Sequence, residues 1–196
     1  DKDASGSYST SFSSVPVQRN YRTNIYGNIL TSDADYNVEI TPGFYGEVNS
    51  EDMLKDALTN GGKFTLLSDM TWPEGFSIPE GKNVEIDLND NTLTIDTENK
   101  VKGNLSINNG NVVVDIEEDG NLLPAFTAYN GAQVDLDNAN INLAGKNALV
   151  VVANSEVAAT INVNKTTITG ASGSVTHGIS MPFGAKDIKI NITEST

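Results

Sequence analysis

The fold is decided by one repeated pattern, which reads LSINNGNVVVDI at residues 105–116 and VDLDNANINLAG at residues 134–145. In each stretch apolar and polar residues alternate, a turn of four polar or small residues follows, and the alternation then resumes. The pattern recurs in VEIDLNDNTLTI at 84–95 and INVNKTTITG at 161–170, and IKINITEST at 188–196 begins a further copy. Repetition of alternating segments around one turn predicts an array of short β-strands.

The spacing of the copies predicts how these strands stack. The last inward residue before each turn and the first one after it are five apart in four pairs: Leu88 and Leu93, Ile107 and Val112, Leu136 and Ile141, Val163 and Ile168. Further apolar segments at 125–129, 148–152 and 178–182 precede the later copies. The interval from Leu136 to Val163 is 27 residues, and the interval from Val163 to Ile190 is again 27. A period of this length, with three strands per repeat, predicts a parallel β-solenoid whose coils stack about 4.8 Å apart.

Polar residues occupy one place in the turn of successive copies: Asn89, Asn108, Asp137 and Asn164. Asparagine tolerates left-handed backbone conformations, and its amide can bond to the matching residue one coil away. We therefore predict a partial asparagine ladder along the turns.

A short helix precedes the strands. Ser50 is the predicted N-cap of a helix over 50–59, and Gly61 and Gly62 are its predicted stop. One face of this helix is apolar, with Met53, Leu54, Ala57 and Leu58. The helix is therefore expected to cap one end of the β structure.

Residues 1–46 differ in composition from the rest of the chain. Alternation at 8–12 and 36–40 predicts an extended β-ribbon, with turns at Gly27 and 32–35. We divide the chain into this segment and a β-helix domain at 47–196, whose coils begin at residue 63. Because the chain opens without Met and its last copy stops inside a turn, we expect a truncated C-terminus and a longer, exported protein.

Composition excludes several classes of function. The chain has 196 residues, 38% of them hydrophobic and 19% charged, and a net charge of −14, which predicts that nucleic acids do not bind. Cysteine is absent, so disulfides, thiol catalysis and cysteine-based zinc sites are excluded. No stretch approaches the roughly 20 apolar residues of a transmembrane helix.

Two segments resemble known families. The stretch DALTNGGKFTLLSDMTWPEGFSIPEGKNVEIDLNDNTLTI at 56–95 resembles the opening coils of right-handed parallel β-helix proteins of the pectin-lyase-like class, and the likeness continues to the C-terminus. The stretch VPVQRNYRTNIYGNILTSDADYNVEITPGF at 15–44 resembles the closing part of fimbrillin-like domains in surface lipoproteins of Bacteroidales-type bacteria. These resemblances imply a right-handed mainly β solenoid in a protein displayed at the cell surface, anchored in the outer membrane.

The catalytic patterns of the pectin-lyase-like class are incomplete here. Its lyases use an arginine base with a calcium-holding aspartate cluster, and no arginine follows Arg22. The stretch Thr176-His177-Gly178 resembles the His-Gly element of its hydrolases, but the paired aspartates and the basic clamp are missing. We interpret the single histidine as a surface residue, and Ser180 lacks the glycines of a nucleophile elbow. No catalytic residue is predicted.

Acidic and aromatic side chains are the remaining candidates for ligand sites. Asp87, Asp135 and the acidic run at 115–119 could offer oxygen ligands to calcium, but a solvated acidic face explains them better. We predict no metal and no cofactor. Trp72 and Phe76 are expected in the core, whereas Tyr129 is expected on an outer segment.

The resulting functional hypothesis is a noncatalytic extracellular module for cell adhesion, which binds a glycan or a host-surface protein. Two alternatives stay open: a polysaccharide lyase or hydrolase of the pectin-lyase-like class, and a passive structural spacer. The sequence assigns no ligand-binding residue.

Overall fold

The structure is a computed structural model, and it describes residues 22–27, 36–41, 44–116, 121, 123–129, 131–145, 148–153, 158–171, 177–181 and 187–196. Strands dominate these residues, as the composition predicts. In chain order the elements are β1 (Arg22–Gly27), β2 (Tyr36–Thr41), β3 (Phe44–Val48), α1 (Glu51–Asn60), β4 (Gly62–Leu66), β5 (Met70–Thr71), β6 (Asn83–Asp87), β7 (Thr92–Ile95), β8 (Asn99–Val101), β9 (Asn104–Val114), β10 (Leu123–Ala128), β11 (Gln133–Leu143), β12 (Ala148–Ala153), β13 (Thr160–Asn164), β14 (Thr167–Gly170), β15 (His177–Ser180) and β16 (Lys189–Thr193).

The N-terminal ribbon consists of β1 and β2. They pair antiparallel, from Arg22 opposite Thr41 to Gly27 opposite Tyr36. The predicted extended segment at 36–40 is confirmed as β2. Its partner is β1, and the other predicted segment, at 8–12, lies outside the described residues.

A large parallel sheet carries the repeated pattern. Seven of its strands lie side by side in the order β3, β4, β6, β9, β11, β13 and β16. In register on these strands lie Gly46, Phe64, Ile86, Ile107, Leu136, Val163 and Ile192. The five inner positions, from Phe64 to Val163, are buried. The pairing of Leu136 with Val163 confirms the predicted interval of 27 residues. The predicted second interval of 27 is wrong, because Val163 pairs with Ile192 and not with Ile190.

The long strands β9 and β11 each pass through the predicted turn and continue beyond it. At this turn Asn109 and Asn138 adopt left-handed backbone angles, with φ of 57° and 50°. Beyond the turn a second strip of parallel strands forms from β5, β7, the ends of β9 and β11, and β14. Its equivalent inward positions are Leu93, Val112, Ile141 and Ile168, as the spacing predicts.

The first copy departs from the predicted spacing. Its turn is longer, because Asp87 pairs with Asn108 whereas Thr92 pairs with Asn111. The residue equivalent to Ile107 is therefore Ile86 and not Leu88. Leu88 is fully buried all the same. Alternation alone does not reveal this longer turn, because Ile86 and Leu88 are both apolar and both buried.

A second parallel sheet contains β8, β10, β12 and β15. In register across it lie Asn99, Phe126, Val151 and Ile179. Its strands β10, β12 and β15 overlap the apolar segments predicted at 125–129, 148–152 and 178–182. This sheet supplies a third set of strands to each repeat.

Both sheets and the helix contribute to one hydrophobic core. Trp72, which is 1% exposed, meets Phe126 of β10 edge to face, with ring centroids 5.1 Å apart. The indole Nε1 of Trp72 donates a hydrogen bond to the carbonyl oxygen of Phe76 at 3.3 Å. Burial of Trp72 confirms its predicted place in the core, and Phe76 packs against that core partly buried.

Helix α1 lies where the sequence predicts a helix. Its N-cap is Ser50, whose Oγ accepts a hydrogen bond from the Met53 N–H at 3.4 Å. Gly61, at φ 73°, ends it. The buried face of α1, which includes Leu54, packs against β3 and β4. Within the described part of the chain this helix is the only one, and it is too short to cross a bilayer.

The predicted boundary between the N-terminal segment and the β-helix domain lies between residues 46 and 47. Strand β3 spans Phe44–Val48, so this boundary falls inside the first strand of the sheet.

Candidate functional surface

The outward side chains of the large sheet form straight rows. Along each strand they alternate with buried residues, and parallel pairing places equivalent residues beside one another about 4.8 Å apart. We call the outer surface before the turn the ladder face, defined by two rows: Lys63, Glu85, Ser106, Asp135, Asn162 and Asn191, then Thr65, Asp87, Asn108, Asp137, Asn164 and Thr193.

Side-chain amides bond to one another along the first of these rows. The Nδ2 of Asn191 donates to Oδ1 of Asn162 at 2.7 Å, and the Nδ2 of Asn162 donates to Oδ1 of Asp135 at 2.6 Å. Gln133 Nε2 donates to the other carboxylate oxygen of Asp135 at 2.7 Å. The chain of amides thus ends on the Asp135 carboxylate, whose second oxygen accepts from Gln133 of the same strand.

The predicted turn ladder is partly reproduced. Asn108, Asp137 and Asn164 lie in register on neighbouring strands, and Asn164 Nδ2 donates to Asp137 Oδ1 at 2.7 Å. Asn108 instead accepts from the Ser106 hydroxyl on its own strand. Asn89 is not in this row, because Asp87 takes the position opposite Asn108.

A further row lies one residue beyond the predicted ladder. Asn138 Nδ2 donates to Asn109 Oδ1 at 3.0 Å, and Asn109 Nδ2 donates to Asp87 Oδ1 at 3.3 Å. Asn109 and Asn138 are the left-handed residues of the turn. The alternating pattern does not predict this row, although the shared position of Asn109 and Asn138 directly after the aligned residues Asn108 and Asp137 is a usable signal.

The ladder face is acidic. Its lysine, Lys63, bonds to Glu85 at 2.6 Å, and this hydrogen bond raises the pKa of Lys63 above its ordinary value. Among the described residues, Asp87, Asp135 and Asp137 form no salt bridge, although the charge of Asp87 also acts on Lys63. A groove of about 540 Å³ lies over this face.

The two aspartates considered as calcium ligands, Asp87 and Asp135, both face outward but lie in adjacent rows. In the part of the chain that the structure describes, no three acidic or histidine side chains are grouped closely enough to hold a metal ion. Of the acidic run at 115–119, the residues 117–119 lie outside the described ranges, and Asp115 is exposed.

The remaining candidates from the sequence lie on or beside the second sheet. His177 is exposed at the start of β15, where it pairs with Leu149, and Ser180 at the end of that strand is half-buried. Tyr129 follows β10 and is also half-buried. Its backbone N–H donates to Val101.

A second outer surface lies beyond the turn, and we call it the uncharged face. It consists of two rows: Thr92, Asn111, Asn140 and Thr167, then Thr71, Thr94, Val113, Asn142 and Thr169. None of these side chains carries a charge. A shallow hollow of about 300 Å³ lies over them.

The hydrogen bonding of the two faces differs. The exposed amides of Asn140 and Asn142 make no hydrogen bond to any residue in the described ranges. The amides of the ladder face bond mainly to their neighbours. The uncharged face therefore presents donors and acceptors that are available to a ligand.

Comparisons with known proteins add one similarity. The model of a family described as a family of unknown function (DUF6562) matches residues 1–96, a range that covers the N-terminal ribbon, α1 and the strands up to β7. Searches of curated proteins and of solved structures found no similar protein.

Proposed function

We propose that the chain is a right-handed parallel β-helix of the pectin-lyase-like kind. Two parallel sheets and a shared core support this architecture. Crossovers between parallel strands are right-handed in about 98% of cases, which supports the hand. A crystal structure would test the proposal, and an open sheet or a left-handed path would contradict it.

We propose further that the protein is a noncatalytic, extracellular cell-surface module that binds glycans in adhesion. The observation that supports this function best is the arrangement of exposed polar side chains in straight, in-register rows. A rigid sheet holds these side chains in place before a ligand arrives, so little conformational entropy is lost on binding. An extended polymer can contact several equivalent positions at once.

A glycan array tests this function. The array carries neutral, amino, uronic and sulfated glycans, and the probe is the complete chain in its folded form. We expect selective retention of a subset of glycans. The same chain unfolded by heat serves as control. No binding by the folded chain, or equal binding by the unfolded chain, would contradict the proposal.

A further inference from the structure

The uncharged face is unusual for this chain. The net charge is −14, and the neighbouring ladder face carries Glu85, Asp87, Asp135 and Asp137. The outward positions of β5, β7 and β14, and of the ends of β9 and β11, are nevertheless threonine, asparagine and valine. A polyanion approaching this molecule meets a repulsive field, whereas an uncharged polymer does not.

Free hydrogen-bonding groups lie on β11, the fourth of the five strands of this face. Asn140 and Asn142 lie two residues apart on β11, so their side chains project from the same side about 7 Å apart. Each amide offers two donors and one oxygen acceptor. Sugar hydroxyls both donate and accept, so such amides can bond to an uncharged sugar without removing any charge from water.

The shape of the face suits an extended chain. Its longer row crosses five strands, from Thr71 to Thr169, and so extends about 19 Å. Val113 lies between Thr94 and Asn142 in that row and is half-buried. Its methyl groups provide a place for the C–H surface of a sugar ring, through dispersion contacts.

From these observations we infer that the uncharged face binds an uncharged polysaccharide, which lies across the strands with Asn140 and Asn142 as its main hydrogen-bonding residues. This inference rests on the proposed glycan-binding function and deepens it by naming the surface and the class of glycan. A second copy of the chain is a less favourable occupant, because two molecules of like charge repel each other.

Isothermal titration calorimetry with the full chain tests the inference. The probes are three soluble neutral polysaccharides, a β-glucan, a mannan and a xylan, and polygalacturonate as the anionic polymer. The test variant is Asn140→Asp/Asn142→Asp, which adds charge to the face where no internal hydrogen bond is lost. The matched control is Asn49→Asp/Asn121→Asp, which adds the same charge at exposed positions elsewhere. Melting temperatures establish that both variants fold.

We expect at least one neutral polysaccharide to bind, polygalacturonate to bind at least tenfold more weakly, and the test variant to lose roughly tenfold in affinity. The control variant keeps its affinity. A second variant, Asn140→Ala/Asn142→Ala, removes the amides without adding charge and is expected to weaken binding as well.

Four results would overturn the inference. Equal affinity of the test variant and the unaltered chain would show that the uncharged face is not the binding site, while the proposed glycan-binding function would stand. If polygalacturonate bound as tightly as the neutral polymers, the assignment of an uncharged polysaccharide as the ligand would be wrong. Absence of binding to every polymer here, together with a silent glycan array, would overturn the proposed function as well. If analytical ultracentrifugation showed that the unaltered chain forms a dimer and the test variant does not, the uncharged face would bind a second copy of the chain instead.

Discussion

Asn162 occupies the middle of an amide row and is bonded on both sides. Its Nδ2 donates to Asp135, and its Oδ1 accepts from Asn191. We expect Asn162→Ala to lower the free energy of unfolding by about 2 kcal/mol, since one of the two bonds goes to a carboxylate. Urea unfolding measures this difference.

Asn142→Ala is the matched control for that prediction, because it makes the same change at an exposed strand position without a hydrogen bond. Its cost should stay within about 0.5 kcal/mol. Equal costs for the two variants would mean that the amide row contributes nothing to stability.

Gly110 lies where the long strand β9 turns, against the longer turn of the preceding copy. A Cβ atom added there would lie 2.5 Å from the Leu88 Cβ and 2.8 Å from the Asn91 carbonyl oxygen. Gly110→Ala should therefore destabilise the protein by about 1–3 kcal/mol, measured by thermal unfolding. Gly178→Ala is the control, since its nearest contact would be the Ile168 Cδ1 at 3.4 Å. A variant at Gly110 as stable as this control would contradict the close packing at the turn.

At the scale of an element, α1 depends on its N-cap residue, Ser50. The Ser50 hydroxyl accepts from the Met53 N–H, which otherwise lacks a partner within the helix. Ser50→Ala should cost about 1 kcal/mol in urea unfolding. Ser50→Asp keeps an acceptor at the N-cap and should retain most of the stability. Two variants that lose the same amount would show that capping is not the cause.

At the scale of the whole molecule, stability depends on position along the stack of strands. Leu136 lies on β11, an inner strand of the large sheet, and is 1% exposed, whereas Ile192 on β16 is 62% exposed at one edge. Leu136→Ala should cost about 3 kcal/mol, and Ile192→Ala about 0.5 kcal/mol or less. Calorimetric melting temperatures compare the two. Similar losses would contradict a core centred on the inner strands.

Local sequence determined several features of this protein. Alternation predicted the strands on both sides of each turn, and the capping residues predicted α1 because an N-cap and a C-terminal glycine act within a few residues. The spacing of apolar residues also predicted the aligned positions Leu93, Val112, Ile141 and Ile168. The buried place of Trp72 followed from its size and hydrophobicity.

Only the tertiary structure decided the register between copies and the character of the faces. Register depends on backbone hydrogen bonds between strands more than twenty residues apart, so a longer turn moved Asn89 out of the predicted row and brought Asp87 into it. The same pairing placed Ile192, not Ile190, beside Val163. The stacking also decides which amides bond to one another, as Asn162 and Asn191 do, and which stay free. The local sequence pattern of an outward asparagine is the same in both cases, so it does not distinguish them.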